Sequence, residues 1–286
     1  MKKKKMKIKR IAVLTSGGDC SGMNATLRSV VRSAIYNGLS VFGVMRGFEG
    51  LMNGEIMELD RRFVSNIINR GGTILKTARS EEFKTKKGQG KAAGQLKKLK
   101  IGGLIIIGGD GSFKGAHDLY QNWGIKCIGV PATIDNDVNG TEFSIGSDTA
   151  VNVALEAIDK IRDTVASLER IFVVEVMGRD SGYLAIRVAL AGGAEDVLVP
   201  EIKFDMNKIC REINAARKKG KVSWILIVAE GAGKAHKIAD IIKKKTGYET
   251  RVTVLGHIQR GGRPTARDRV LAARLGAAAV ELLLEG

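Results

Sequence analysis

Acidic residues fenced by glycine recur at the ends of apolar runs in this 286-residue sequence. LIIIGGDGSFKG (104–115) stops at Gly108, Gly109, Asp110 and Gly111, and PATIDND (131–137) sets Asp135 and Asp137 two positions apart. TSGGDCSG (15–22), MGRDSG (177–182) and AEGAG (229–233) follow the same plan. Glycine at 17, 18, 108, 109 and 111 allows close approach and left-handed backbone, so that amide groups and helix N-termini can face phosphate oxygens. A plain strand-to-helix turn is the competing reading of each pair. Asp110, alone among glycines, suits Mg²⁺, which prefers one or two carboxylates plus phosphates and waters. If TIDND is extended, Asp135 and Asp137 point the same way, as a general base beside a metal or hydroxyl binder; a turn-forming Asx cluster is the alternative.

Phosphoryl transfer also needs cations that spread charge over the equatorial oxygens, a task for planar guanidinium groups. Arg79 in KTARSEEF, Arg179 in MGRD, and Arg251 and Arg260 in TRVTVLGHIQRGG stand near strand ends or beside glycine. His257 lies in the same stretch, whereas His117 and His236 fall on expected helices as surface residues. GxxxxGK[ST] is absent, and GxGxxG is missed by one residue because the third glycine is Gly115. No Ser/His/Asp or Cys/His constellation and no zinc spacing is visible. The residues point to Mg²⁺-assisted phosphoryl transfer between two anionic ligands.

The elements that must position these groups alternate along the chain. Short β-branched and apolar runs predict strands at 8–16, 39–45, 104–107, 127–131, 171–177, 196–200, 224–230 and 250–255. Helical spacing predicts helices at 22–38, 59–72, within 84–100, from Ser112, and at 147–165, 182–192, 205–219, 234–246 and 266–285. Strands apolar on both faces and separated by helices argue for parallel sheets covered on both sides, with ligands at the C-terminal strand ends. Chain length favours two lobes, with a boundary near 146 in VNGTEFSIGSD.

Composition narrows the partners. The formal charge is +17, but seven of the first ten residues are Lys or Arg, which leaves +10 for the remainder and marks MKKKKMKIKR as a solvated tail. Aromatics at 5% offer few platforms for stacking bases, so phosphorylated small molecules fit better than nucleic acid. No apolar run reaches the ~20 residues of a membrane span and no cleavable leader opens the chain, so a cytoplasmic protein is expected. Cys20, Cys127 and Cys210 form no CxxC pair and read as reduced packing residues.

TSGGDCSGMN, INRGGT, IIIGGDGS, PATIDND, IRDT, VVEVMGR, TRVTVLGHIQRGGRP and the following DR resemble the 6-phosphofructokinases, in order and with compatible spacing from residue 8 to the C-terminus. The resemblance implies an α/β fold of two lobes, each a mainly parallel sheet covered by helices, with the active site in the cleft between them. It implies a larger nucleotide-binding lobe, 1–146 with 259–286, and a smaller sugar-phosphate-binding lobe, 147–258. The implied reaction moves the γ-phosphoryl of ATP, or in some branches a phosphoryl of pyrophosphate, to the 1-hydroxyl of fructose 6-phosphate with Mg²⁺. Asp135 would then be the base, with Thr133 and Asp137 beside the transferred group and Arg179 assisting. Asp110 would hold Mg²⁺, and Gly18, Arg79, Gly109, Gly111 and Ser112 would line the nucleotide. Met177, Gly178, Arg179, Glu230, His257 and Arg260 would grip the sugar phosphate. In the family Arg170 and Arg251 reach that phosphate from a neighbouring subunit, which implies a homo-oligomer, usually a homotetramer. Arg28, Arg32, Arg61, Arg162, Glu195, Lys219 and Lys221 fall where bacterial members bind an allosteric effector.

Two positions bear on the donor. Family members using ATP typically carry glycine after the GGD aspartate, whereas an aspartate there crowds and repels the α-phosphate; Gly111 implies ATP. Pyrophosphate users often have lysine where Ala132 stands, and ATP users glycine. Short members also run on past the point where this sequence ends at ELLLEG, into a segment that returns to the smaller lobe. Two rival readings carry different expectations. GGDG followed by a hydroxyl residue also occurs in nicotinamide-dinucleotide and lipid kinases, against which TIDND, MGR and GHIQRGG argue. An idle nucleotide- or nucleic-acid-binding protein on the same scaffold would bind nucleic acid through the basic tail, with steep salt dependence.

Overall fold

The computed structural model describes residues 8–285. Most of the basic tail, residues 1–7, lies outside them, so its expected solvation has no structural counterpart. By internal packing the chain forms two compact units. The first holds the chain up to Thr133, Asp137–Gly146 and the chain from Gly262 onward; the second holds Ile134–Asn136 and Ser147–Gly261.

In the first unit, β1 (Arg10–Thr15), α1 (Met23–Tyr36), β2 (Ser40–Val44), α2 (Gly47–Asn53), β3 (Ile56–Leu59), α3 (Lys86–Lys98), β4 (Gly103–Gly108), α4 (Asp110–Trp123) and β5 (Cys127–Pro131) follow in order. The sheet order is β3-β2-β1-β4-β5, with β1 parallel to β2 and β4, and β4 parallel to β5. Successive strand side chains point to opposite faces. Ala12, Leu14, Leu104 and Ile106 accordingly share one core with Phe48, Leu51, Leu96 and Leu119 from α2, α3 and α4. Burial of all of β4 is what its GLIIIG composition demands.

The helix expected at 59–72 is not formed. Val64 and Ile67, spaced as on a helix and both buried, sit in a run of turns after β3, the antiparallel edge strand. Asp60 Oδ1 accepts the Phe63 amide at 2.7 Å, as a helix cap would, but only turns follow it. Asn24 of α1 donates to Arg70 O and Gly71 O and accepts from Ile74 N. A side chain fifty residues away in sequence thus takes the backbone bonds there. The short helix α2 also went unanticipated. The Lys-rich stretch does form α3, with Thr85 Oγ1 accepting from Gly88 N as its cap.

The second unit comprises α5 (Ser147–Leu168), β6 (Ile171–Val176), α6 (Tyr183–Gly192), β7 (Asp196–Leu198), α7 (Met206–Lys218), β8 (Trp224–Ala229), α8 (Ala235–Thr246) and β9 (Thr250–Val254). Its four-stranded sheet, β7-β8-β6-β9, is parallel throughout. Val174, Val176, Ile225 and Ile227 pack with α5 and α6. Their alternates Ile171, Val173, Leu226 and Val228 pack with α7 and α8. The chain closes in the first unit with α9 (Ala266–Glu285), which lies against α1. Gly276 permits that approach, since a Cβ there would sit 2.7 Å from Ser29 Cβ. Among the described residues no helix is long and apolar enough to cross a membrane.

Candidate active-site residues

The glycine turns of the first unit emerge side by side because β1 and β4 run parallel, with Thr15 opposite Ile107 and Ser16 N donating to Ile107 O at 3.0 Å. Ser112, buried at the meeting of the two turns, sets their tightness. A Cβ on Gly108 would stand 2.6 Å from both Ser112 Oγ and Ser16 O, and Gly17 is left-handed at φ +85°; only glycine fits. Gly109 is the extended cap, and its carbonyl accepts from Ser112 N and Phe113 N. The helix expected from Ser112 therefore starts at Asp110.

Asp110 lies in the first turn of α4, where the helix dipole favours a carboxylate. Its carboxylate is exposed and meets Lys114 Nζ at 2.7 Å. That hydrogen bond holds the Lys114 ammonium above its ordinary pKa. Among the described residues no group of three or more His, Cys, Asp or Glu side chains forms a metal cage. One exposed carboxylate fits an ion that brings water and phosphate as its other ligands. A Cβ on Gly111 meets nothing within 4 Å, so the fold itself does not require glycine there. Gly18 is half-buried, and Arg79 is exposed on a loop tied to β1 through Thr15 Oγ1 donating to Lys76 O and Thr77 Oγ1 donating to Gly17 O. Thr133 adjoins the GGD turn, since a Gly109 Cβ would lie 3.5 Å from Thr133 Cβ.

The two acids of TIDND do not share a direction. Asn136 between them is left-handed, at φ 50°, so the stretch is not extended. Asp135 is buried in the second unit, whereas Asp137 is exposed and belongs to the first. In the second unit Arg179 Nε stands 3.3 Å from Asp135 Oδ2. The arginine is held at its backbone: Glu230 Oε1 accepts from Gly178 N at 3.2 Å and Arg179 N at 2.9 Å. Parallel pairing of Val176 with Ala229 brings the MGR and EGAG ends together. Met177 is buried, His257 exposed and Arg260 half-buried, the last two on a short 3-10 helix, Gly256–Arg260. Arg170 and Arg251 share one carboxylate, with Arg170 Nε 2.8 Å from Glu249 Oε2 and Arg251 2.5 Å from Glu249 Oε1.

Of the remaining positions, Arg28 and Arg32 lie one turn apart on α1, and Arg61 is exposed after β3. Arg162 donates to Gly192 O and Gly193 O. Glu195 pairs with Lys221 at 2.7 Å while accepting from Ile225 N, and Lys219 is exposed beyond α7.

A family model described as phosphofructokinase matches residues 10–283. This chain belongs to the phosphofructokinase family. It is 59% identical to the ATP-dependent 6-phosphofructokinase of Clostridium tetani, over 97% of this chain and 87% of that one. Among solved structures, Pichia pastoris phosphofructokinase in the T-state superposes with a TM-score of 0.94 at 37% identity, covering 99% of this chain and 35% of the other. A pyrophosphate-dependent phosphofructokinase from Marinobacter aquaeolei superposes with a TM-score of 0.84 at 26% identity, covering 98% of this chain and 76% of that one.

Three supports escaped sequence reasoning. Asn24 and Thr15 brace the loop bearing Arg79, and Glu249 holds Arg170 and Arg251. Thr15 and Asn24 stand at the two ends of TSGGDCSGMN, where the glycines and the acid drew the attention, and Glu249 lies in no glycine–acid cluster. Gly231 was visible within AEGAG without its reason: a Cβ there would lie 2.1 Å from Arg179 O.

Proposed function

We propose that this chain is an ATP-dependent 6-phosphofructokinase, transferring the γ-phosphoryl of ATP to the 1-hydroxyl of fructose 6-phosphate to give fructose 1,6-bisphosphate and ADP. The observation that carries the reading is the buried Asp135 carboxylate clasped by Arg179, in a chain 59% identical to an ATP-dependent 6-phosphofructokinase. Asp135 receives the proton of the sugar hydroxyl. A carboxylate with an ordinary pKa near ~3.9 is a weak base, but a loose transition state lets the proton leave late. Arg179, already beside that carboxylate, offers its guanidinium to charge gathering on the transferred group, with Thr133 and Asp137 as further contacts.

The first unit takes the nucleotide through Gly18, Arg79, Gly109, Gly111 and Ser112. Asp110 would hold Mg²⁺, which would supply positive charge to the phosphates, in place of its contact with Lys114. The second unit takes the sugar phosphate through Met177, Gly178, Arg179, Glu230, His257 and Arg260. Arg170 and Arg251 serve the phosphate of a neighbouring copy in a homotetramer, and Arg28, Arg32, Arg61, Arg162, Glu195, Lys219 and Lys221 bind an allosteric effector, in a cytoplasmic enzyme of glycolysis. The missing side chain at Gly111, which the fold does not require, supports ATP over pyrophosphate. Steady-state turnover of fructose 6-phosphate with ATP and with pyrophosphate, side by side and with the mass of the assembled particle, tests the reading. Turnover of another acceptor, and none of fructose 6-phosphate with either donor, would sink it.

A further inference from the structure

Gln259 is 1% exposed, on the 3-10 helix between exposed His257 and half-buried Arg260. Its Oε1 accepts the Met177 amide at 2.8 Å, across 82 residues of chain. Its Nε2 is buried without a hydrogen-bond partner. Rotating the amide would turn that NH₂ against the Met177 N–H, so the orientation is set by Met177 alone. Burying one unpaired NH₂ costs about as much as one hydrogen bond returns. The side chain therefore adds little net stability, and what the bond accomplishes is geometric. Met177 N–H is the first of three consecutive donors after β6; the other two, on Gly178 and Arg179, go to Glu230. The segment that presents Arg179 to Asp135 thus hangs from two side chains. Gln259 ties it directly to the helix that bears His257 and Arg260.

We propose that Gln259 is a positioning residue for the sugar-phosphate acceptor, holding Met177–Arg179 in register with His257 and Arg260 without touching the acceptor. This role rests on the fructose 6-phosphate reading above. The test is Gln259→Met, which keeps most of the volume and removes the acceptor oxygen. The KM for fructose 6-phosphate is expected to rise about tenfold or more, while the KM for ATP stays within about twofold, because only one substrate's contacts are displaced. Gln259→Glu keeps an oxygen opposite Met177 N–H and should return the first KM to within about threefold of the unaltered protein. If Gln259→Met does not accumulate as folded protein, Gln259→Asn, polar but one methylene short of Met177, carries the same comparison. An unmoved KM for fructose 6-phosphate overturns the proposal, as does a loss in both substrates that merely follows the folded fraction. Absence of fructose 6-phosphate turnover in the unaltered protein overturns the functional reading and this role with it. Normal turnover with no KM split in the variants overturns the role of Gln259 alone.

Discussion

Arg179 reaches down from solvent to a carboxylate that solvent cannot reach: its side chain is 52% exposed and that of Asp135 is 2% exposed, with Nε 3.3 Å from Oδ2. The pair depends on two left-handed residues, Asn136 at φ 50° and Arg179 itself at φ 52°, a conformation uncommon outside glycine. Strain of this kind persists only where the surroundings over-determine it. Here Glu230 takes two amides of the arginine's segment, and Gly231 leaves room for its carbonyl.

Asp135→Ser removes the base and keeps a small polar group in its place. Turnover should fall by about 10²–10⁴-fold, the usual contribution of general acid–base catalysis, with little change in the KM for fructose 6-phosphate. Steady-state kinetics check this, and near-normal turnover would take Asp135 out of the base role.

Gly111→Asp adds a carboxylate where a Cβ meets nothing, in the first turn of a helix that tolerates acids well. The fold should be untroubled and the thermal midpoint unmoved within about 2 °C. The kcat/KM with ATP should fall far more than that with pyrophosphate. Equal losses with the two donors would refute the steric reading of this position.

Gly231→Ala places a methyl 2.1 Å from Arg179 O, too close to accommodate without moving backbone. Displacement of Arg179 should lower kcat/KM for fructose 6-phosphate by about tenfold or more, since small misplacements of positioning groups are costly. Gly233→Ala is the control, because its Cβ would touch only Ile238 Cδ1 at 3.4 Å. If the two variants behave alike in kinetics, close approach at Gly231 is not what positions the arginine.

Asp196 gives a pH signature in stability. Burial raises its pKa above the ordinary 3.8, against the Trp224 indole N–H that favours the ionised form. A carboxyl raised in the folded state favours folding when protonated, and that benefit is lost as pH climbs through the folded value. Asp196→Asn, neutral and still able to accept from Trp224, should raise the thermal midpoint near about pH 7 and lose its advantage towards about pH 4. A midpoint gain independent of pH would contradict the burial effect.

Much of the second unit was legible residue by residue. IFVVEV and WILIVA are apolar almost throughout, which marked strands covered on both faces; the structure then sets Val174 and Ile227 in one helical layer and Val173 and Leu226 in the other, because strand side chains alternate by geometry. The same reasoning failed at 59–72. There Val64 and Ile67 mimic helical spacing while Asn24, from another helix, takes backbone groups at Arg70, Gly71 and Ile74. The apolar period reports only which side chains are buried, not which groups take the amides.

Apart from α2, the antiparallel β3 and the turns that replace a helix at 59–72, the sequence by itself determined most of the order of strands and helices, the mainly parallel sheets and the five glycine–acid clusters at their ends. These follow from periods of 2.0 and 3.6 and from the conformational freedom of glycine, all local properties. Only the tertiary structure decided that Asp135 is buried and Asp137 exposed, that Asp110 opens a helix beside Lys114, and that Gln259 and Glu230 suspend the backbone of Met177–Arg179. The last of these rests on hydrogen bonds between residues 52 and 82 positions apart. Partners so distant are chosen by how parallel strands align their ends, a relation that no local spacing records.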